Sequence, residues 1–426
     1  MRTRVRSIPP PVPTRATDLL AAAAGIGGRI VQEAVWYRGR CSWVAAEADS
    51  GAAPGADRVR PVFRALGPAL GDGTAGIALF LAQLHAAQAD DVVRRTALGA
   101  IGQALAHADR LPARGLYAGR PGVAYAAARC GQLLDEERLL ERAARLARGR
   151  STREADAANF DVVGGTAGAI AGLLALAPLL GDERLVERAQ RLGDELADAA
   201  RRGTEGLSWP VPGESRAHGL CGMAHGASGA ACALLELFAV TGERRHREVA
   251  EHALDYERHW FDAQDADWPD LRGVLRRERR GAFAPTYTTT WSHGAPGIAL
   301  ARLRAWEILG DERHRAEAAI ALGTTAASVE RKLLVPGAGF TLGHGLAGNA
   351  DVLLRGAQLM PAGAALALRT GEIGIGRYGA AVDGWPCGAP GGLAPGLLSG
   401  HAGIGLLHLR LHDATVPSPL LICAQR

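Results

Sequence analysis

The sequence predicts an all-α fold, an α/α toroid (a closed barrel of helices) made of seven helical hairpins and about fourteen helices. Three observations predict it. Glycine is unusually frequent, a Gly-x-x-Gly element recurs along the chain, and two kinds of helix alternate between the elements. Glycine supplies 56 of the 426 residues, roughly twice its usual share of ~7%. Since these glycines do not form low-complexity tracts, they mark backbone positions that need no side chain.

The Gly-x-x-Gly element occurs seven times, and each copy opens an apolar stretch. Successive copies start 46, 46, 61, 68, 51 and 55 residues apart. A recurrence of this size indicates a repeat architecture. The copies are Gly73–Gly76, Gly119–Gly122, Gly165–Gly168, Gly226–Gly229, Gly294–Gly297, Gly345–Gly348 and Gly400–Gly403.

The helices that follow the elements differ from the helices that separate them. Stretches such as 76–84, 168–176 and 297–306 are apolar on nearly every face, which is typical of fully buried helices. The intervening helices carry apolar residues at i, i+3, i+4 and i+7 and charges elsewhere, and several begin with acidic residues that suit a helix N-terminus. These amphipathic helices are predicted at 136–148, 182–200, 243–259 and 311–331.

Two geometries can bury such repeats, an open solenoid or a closed ring. An open solenoid has repeats of nearly constant length and polar caps at both ends. Here the period varies by more than twenty residues and the last repeat ends in the apolar stretch 417–422. The sequence therefore favours a closed ring, in which the seven inner helices start at one end. We expect one domain over residues 17–426, preceded by a flexible segment, 1–16.

Charge, cysteine content and hydropathy exclude several classes of protein. The 48 basic and 44 acidic residues leave a net charge of +4, which gives no strong attraction to nucleic acid. Six scattered cysteines without a Cys-x-x-Cys pair do not make a disulfide scaffold or a zinc ribbon. No apolar run reaches the ~18 residues of a membrane span. We expect a cytoplasmic protein with no nucleic-acid partner and no membrane span.

Polar side chains recur where the predicted turns converge on the rim of the ring. Because the turns meet at one end, residues that are distant in sequence are expected to face a common cavity. Four histidines are among them, which is more than chance placement would give. The candidate site residues are Asp161, His225, Ser292, His293, His344 and His401.

The repeats and four of their flanks resemble a known family, the lanthionine synthetase C-like cyclases. The stretches that carry the resemblance are 222–229 (GMAHGASG), 291–297 (WSHGAPG), 342–350 (LGHGLAGNA) and 395–405 (PGLLSGHAGIG), and it extends from about Ile26 to the C-terminus. It implies an α/α barrel. It also implies Michael addition of a cysteine thiolate to dehydroalanine or dehydrobutyrine in a precursor peptide, which forms a thioether ring.

In that family two cysteines and a histidine hold Zn²⁺, and this sequence departs from the pattern. The matching positions are Ser292, Gly343 and His344, of which only the histidine is a good zinc ligand. We therefore expect no zinc or other cofactor. A site rebuilt from His293, His344 and His401 is an alternative that the spacing does not favour. In lacking the cysteines, the chain is similar to the cyclase domains of kinase–lyase–cyclase lanthipeptide synthetases.

The resemblance also implies roles for two residues that match. Asp161 and His225 align with the residues that handle protons during cyclisation. The residues alone leave another interpretation open, in which Asp161 caps a helix and His225 serves packing.

The sequence leaves the function open between hypotheses of different classes. The first is a zinc-independent cyclase, which includes the formation of aminovinyl-cysteine-type rings from an enethiolate. The second is a non-catalytic subunit that binds the leader peptide or acts as a scaffold in a synthetase complex. The partners would be a dehydrated precursor peptide and kinase, lyase or other synthetase subunits. A toroidal glycosidase would need two carboxylates in the cavity, and Asp161 alone stands at the predicted rim.

Two long irregular stretches bear on the substrate. Residues 262–290 contain an arginine cluster that is either an exposed loop or a site for an acidic leader segment. Residues 201–218, which include Trp209, are placed to cover the cavity. The arginines of the cluster are Arg272, Arg276, Arg277, Arg279 and Arg280.

Overall fold

A computed structural model describes residues 16–48, 61–149, 159–211, 218–273, 286–379, 384–387 and 394–423. Of the predicted flexible segment 1–16, only Ala16 lies within this part of the chain, and it begins the first helix. None of the described helices combines the length and the apolar character of a membrane-spanning segment.

The described residues form fourteen α-helices, the number that the repeats predict. The even-numbered helices form an inner layer and the odd-numbered ones an outer layer. In chain order they are α1 (Ala16–Gln32), α2 (Thr74–Ala87), α3 (Asp91–His107), α4 (Arg120–Leu133), α5 (Glu137–Arg148), α6 (Thr166–Leu180), α7 (Arg184–Asp198), α8 (Ala227–Thr241), α9 (Arg244–His259), α10 (Ala295–Leu309), α11 (Glu312–Leu333), α12 (Leu346–Arg355), α13 (Pro361–Tyr378) and α14 (His401–His412).

The inner helices close into a ring. Each packs against the next, from α2 to α14, and α14 packs against α2. The tightest pairs join an inner helix to the outer helix that follows it, while α1 packs on α14 and so supplies the last inner helix with its outer partner. The predicted α/α toroid of seven hairpins is confirmed.

The glycines of the seven elements have two separate structural roles. The first glycine of each element is the N-cap of an inner helix. The second lies one turn inside that helix, where a Cβ atom would overlap the carbonyl oxygen of the residue six positions earlier. Because the turn folds back against the helix in all seven repeats, a side chain is excluded there for steric reasons.

We expect Gly168→Ala to lower the free energy of unfolding by about 1–3 kcal/mol, since the new methyl group would overlap Val162 O and crowd Leu116 N. Gly323→Ala is the matched control. Gly323 lies exposed in α11 with no atom within 4 Å of the added Cβ, so alanine should be neutral or stabilising by up to ~1 kcal/mol. Urea unfolding of both variants measures the difference. Equal stabilities would contradict the steric explanation.

Within the described residues, three short β-hairpins, which the sequence did not predict, extend the connections between helices. Their strands have three to five residues, too few to show an alternating pattern. They are antiparallel pairs and leave the helical ring intact. The pairs are β1 (Val35–Tyr37) with β2 (Arg40–Ser42), β3 (Val44–Ala48) with β4 (Pro61–Ala65), and β5 (Arg201–Gly203) with β6 (Gly206–Ser208).

The C-terminal segment 417–423 enters the middle of the ring. The Tyr117 hydroxyl donates a hydrogen bond to Pro419 O at 2.6 Å. Trp291 Nε1 donates to Leu420 O at 3.0 Å. Tyr117 precedes α4 and Trp291 precedes α10, and their rings meet edge to face at 5.3 Å. The segment is apolar because it fills the bore of the barrel, where Leu420 is 1% exposed.

Candidate active site

The residues just before the inner helices form seven turns at one end of the ring. We call them rim turns one to seven and define each as the six residues before the N-cap glycine. In five of the seven, the residue directly before that glycine is polar. These residues are Asp72, His225, His293, His344 and Ser399.

Asp161 and His225, from rim turns three and four, are in direct contact. Asp161 Oδ2 lies 2.6 Å from His225 Nδ1. Asp161 Oδ1 accepts hydrogen bonds from the N–H groups of Gly164 at 2.7 Å and Gly165 at 3.0 Å. The carboxylate therefore caps its own turn with one oxygen and orients the imidazole with the other. The N-cap of the following helix is Gly165, so Asp161 caps the turn before the helix rather than the helix itself. Its contact with His225 is compatible with a role in proton transfer, which stays a prediction.

The bond to Asp161 decides which nitrogen of His225 is available. In the neutral tautomer that donates from Nδ1 to the carboxylate, Nε2 carries the lone pair. Among the described residues, none hydrogen-bonds to Nε2. The His225 side chain is 39% exposed and that of Asp161 is 15% exposed. This arrangement suits a general base that an acidic residue orients.

A cavity of about 190 Å³ lies beside the pair and is lined by Asp161, His225, Trp209 and Arg272 among others. Trp209 follows β6, and its Nε1 donates to Leu196 O at 2.8 Å. The stretch 201–218 thus contributes to the wall of the cavity, as the sequence suggested, although its residues 212–217 lie outside the described part of the chain.

Arg272 places a positive charge at this cavity. It is held by Asp270 through a charged pair, with Nη2 at 2.6 Å from Oδ2. The other arginines of the predicted cluster lie in 274–285, outside the described residues. They are Arg276, Arg277, Arg279 and Arg280.

His293 of turn five and His344 of turn six have the same place in their turns as His225 has in turn four. The rings of His293 and His225 are stacked, with centroids 5.8 Å apart. Burial, followed by the charge of Arg272, lowers the pKa of His293 to about 3, so this imidazole is neutral at physiological pH. His344 is exposed, and partial desolvation followed by the charge of Arg272 lowers its pKa as well.

The residues at the family zinc positions do not fit a zinc ion. The Ser292 hydroxyl donates to Gly343 O at 3.2 Å, and Gly343 has no side chain, so His344 is the one imidazole or thiolate of the three. No group of three or more His, Cys, Asp or Glu side chains within the described residues has the arrangement of a metal site. None of the six cysteines occupies one of these three positions, and burial raises the pKa of each thiol.

His401 does not share the position of the other three histidines. It is the first residue of α14 and follows the N-cap glycine Gly400, whereas His225, His293 and His344 precede theirs. His401 therefore does not belong to the set of residues that directly precede an N-cap glycine. Ser399 has the equivalent place in turn seven.

Two rim residues that the sequence analysis missed are bonded to each other. Asp72 accepts hydrogen bonds from the Ser399 N–H at 2.8 Å and from the Ser399 hydroxyl at 2.7 Å. Counting one residue back from each N-cap glycine would have identified both.

Three solved structures superpose on the chain to different extents. A nisin cyclase superposes with a TM-score of 0.62 at 18% identity, over 82% of this chain and 89% of that chain. A protein of Listeria innocua gives 0.49 at 12% identity, over 93% and 97% of the two chains. An unsaturated glucuronyl hydrolase from a Bacillus species gives 0.40 at 14% identity, over 73% and 84%. Curated proteins give no significant match in sequence.

The family resemblance is tested by the sequence model for the family described as lanthionine synthetase C-like protein. That model matches residues 64–421, which include all seven rim turns and thirteen of the fourteen helices. Since the match covers well over half of the chain, the chain belongs to the lanthionine synthetase C-like family.

Proposed function

We propose that this protein is a lanthipeptide cyclase that joins a cysteine of a precursor peptide to a dehydroalanine or dehydrobutyrine, and that it works without zinc. The observation that carries the proposal is the 2.6 Å contact between Asp161 and His225 at the cavity. Family membership supports the reaction class. The superposition on a nisin cyclase supports the fold on which this site is built.

In the first step His225 Nε2 takes the proton of the peptide thiol. A free thiol with a pKa of about 8.5 is only ~3% ionised at pH 7. A base in contact with the thiol overcomes this limit at the moment of reaction. Asp161 orients the imidazole and stabilises the imidazolium that forms.

In the second step the thiolate sulfur forms a bond to the β-carbon of the dehydroamino acid. The carbon–carbon double bond is lost, and its electron pair moves toward the adjacent carbonyl to give an enolate. The proton on His225 then passes to the α-carbon, which restores the neutral base. No atom is gained or lost, so the cyclic product has the mass of the linear peptide.

The enolate carries a negative charge that the cavity is suited to stabilise. Arg272 lines the same cavity as His225. A fixed positive charge near a developing anion lowers the barrier. The neutral His293, stacked on His225, adds no second positive charge that would oppose protonation of the base.

An enethiolate from a decarboxylated C-terminal cysteine is a second nucleophile that suits a metal-free site, because it ionises more readily than an ordinary thiol. The same pair would then serve the formation of aminovinyl-cysteine-type rings. Kinase, lyase or other synthetase subunits would supply the dehydrated peptide.

We expect the purified protein to contain much less than one zinc per chain and to retain full activity with a chelator. Metal analysis gives the zinc content. Alkylation of the remaining thiols, read by mass spectrometry, counts the rings formed in a dehydrated peptide. Stoichiometric zinc, or loss of ring formation with the chelator, would overturn the metal-free mechanism. Tight binding of the peptide with no loss of free thiol would instead favour a scaffold subunit.

A further inference from the structure

Hydrogen bonds join the seven rim turns side by side into a closed girdle. The girdle consists of the hydrogen bonds between adjacent rim turns. In each turn the bonded residue lies two places before the N-cap glycine or is next to that position. Six of the seven links run between backbone atoms. They are Gly71 N to Tyr117 O (2.8 Å), Tyr117 N to Val163 O (3.1 Å), Val162 N to Ala224 O (3.1 Å), Ala224 N to Ser292 O (3.3 Å), Gly343 N to Leu398 O (2.8 Å) and Leu398 N to Gly71 O (2.8 Å).

The remaining link, between turns five and six, is made by side chains. Ser292 Oγ donates to Gly343 O at 3.2 Å. Asn349 of α12 adds a second contact, since its Nδ2 donates to Thr289 O at 3.1 Å, and Lys332 Nζ donates to the same oxygen at 3.1 Å. The described residues contain no backbone bond between the two turns at this step.

The family's metal ion lies at this same position in the ring, between turns five and six. Since Ser292, Gly343 and His344 do not fit zinc, a metal ion does not join the two turns. The Ser292 hydrogen bond joins them instead. Ser292 is 3% exposed and Asn349 is fully buried. A buried hydrogen bond of this kind is costly to break, because the carbonyl left behind has no water to pair with.

We propose that Ser292 is a positioning residue that closes the girdle in place of a metal ion. It holds turns five and six together and thereby fixes His293 and His344, which follow Ser292 and Gly343 directly, beside His225. The hydrogen bond itself does not depend on the proposed function. Its effect on ring formation does.

Amide hydrogen exchange, followed by mass spectrometry, tests the link directly. Ser292→Ala should exchange about tenfold faster in 288–294 and 339–345, with the other rim turns unchanged. Ser292→Thr keeps the hydroxyl and should restore protection. Ser42→Ala is the matched control, because the Ser42 hydroxyl is buried without a partner among the described residues. Unchanged exchange in Ser292→Ala would overturn the proposal.

A metal-binding measurement tests how close turns five and six lie to each other. It does not depend on whether Ser292→Ala folds correctly. The double variant Ser292→Cys with Gly343→Cys places two thiols next to His344. A Cβ at Gly343 would meet Leu398 O at 3.3 Å and needs only a small shift. We expect one zinc per chain and a zinc-dependent rise in melting temperature, whereas Ser292→Cys alone should bind none stoichiometrically. A double variant without zinc would mean that the turns are not at bridging distance.

The effect of Ser292 on the rate of ring formation rests on the proposed function and is measured separately. Ser292→Ala should lower kcat severalfold with little change in KM, and Ser292→Thr should recover it. If the wild-type protein forms no rings, the proposed function fails. The exchange and zinc results would still decide whether Ser292 closes the girdle.

Discussion

His225→Ala is expected to reduce the rate of ring formation by about 10²–10⁴-fold, the usual contribution of a general base. Asp161→Asn should cause a loss of similar size for a different reason. Its Oδ1 can still accept from Gly164 and Gly165, so the turn stays capped. The amide now facing Nδ1 favours the wrong tautomer of His225. Thiol alkylation of a dehydrated peptide over time measures both rates.

His85→Ala serves as the control for these variants. His85 lies in the last turn of α2, at the opposite end of the ring from the rim, and its Nδ1 contacts Asp90. The His85→Ala variant should cyclise the peptide at the wild-type rate. Full activity of either His225→Ala or Asp161→Asn would show that the pair does not carry the chemistry.

Glu257→Ala is expected to destabilise the protein by about 3–5 kcal/mol, the usual cost of removing one partner of a buried charged pair. Arg302 would keep only its second charged contact, with Glu317 at 2.7 Å. Glu257 is fully buried and forms a charged pair with Arg302 at 3.2 Å. It also accepts from the N–H groups of Gly222 and Ser228, at 2.8 and 2.9 Å. Because these bonds hold rim turn four in place, removing the Glu257 carboxylate should also displace His225. Urea unfolding gives the change in free energy.

Two comparisons sharpen this prediction. Glu257→Gln keeps the shape and should cost less than Glu257→Ala, while both should cost more than Glu312→Gln. Glu312 forms an exposed pair with Arg315 on α11, and such pairs contribute about 0–1 kcal/mol. Equal losses for Glu257→Ala and Glu312→Gln would show that the buried network does not stabilise the ring.

Most of the fold could be predicted because its determinants are local or periodic. The amphipathic stretch predicted at 311–331 is α11, Glu312–Leu333, and the stretch at 243–259 is α9, Arg244–His259. Both depend on contacts three and four residues apart, which the sequence displays directly. The β-hairpins could not be predicted, since strands of three to five residues carry too little pattern.

The candidate site was predicted only in part. Asp161 and His225 were identified, and their contact spans 64 residues. His401 was assigned to the rim although it lies one residue past its N-cap. Asp72 and Ser399 were missed, because a lone aspartate or serine before a glycine has no distinguishing pattern unless it is compared across repeats.

The sequence by itself determined the seven helical repeats, and it favoured a closed ring over an open solenoid. The seven elements place a glycine one turn inside each inner helix, and in the folded ring the preceding turn leaves no room for a Cβ at that glycine. Only the tertiary structure decided how the ring is completed. The packing of α1 on α14, the C-terminal segment in the bore and the Ser292–Gly343 link join residues far apart in the chain. Such contacts depend on the summed rotation of all seven hairpins, which no local pattern encodes.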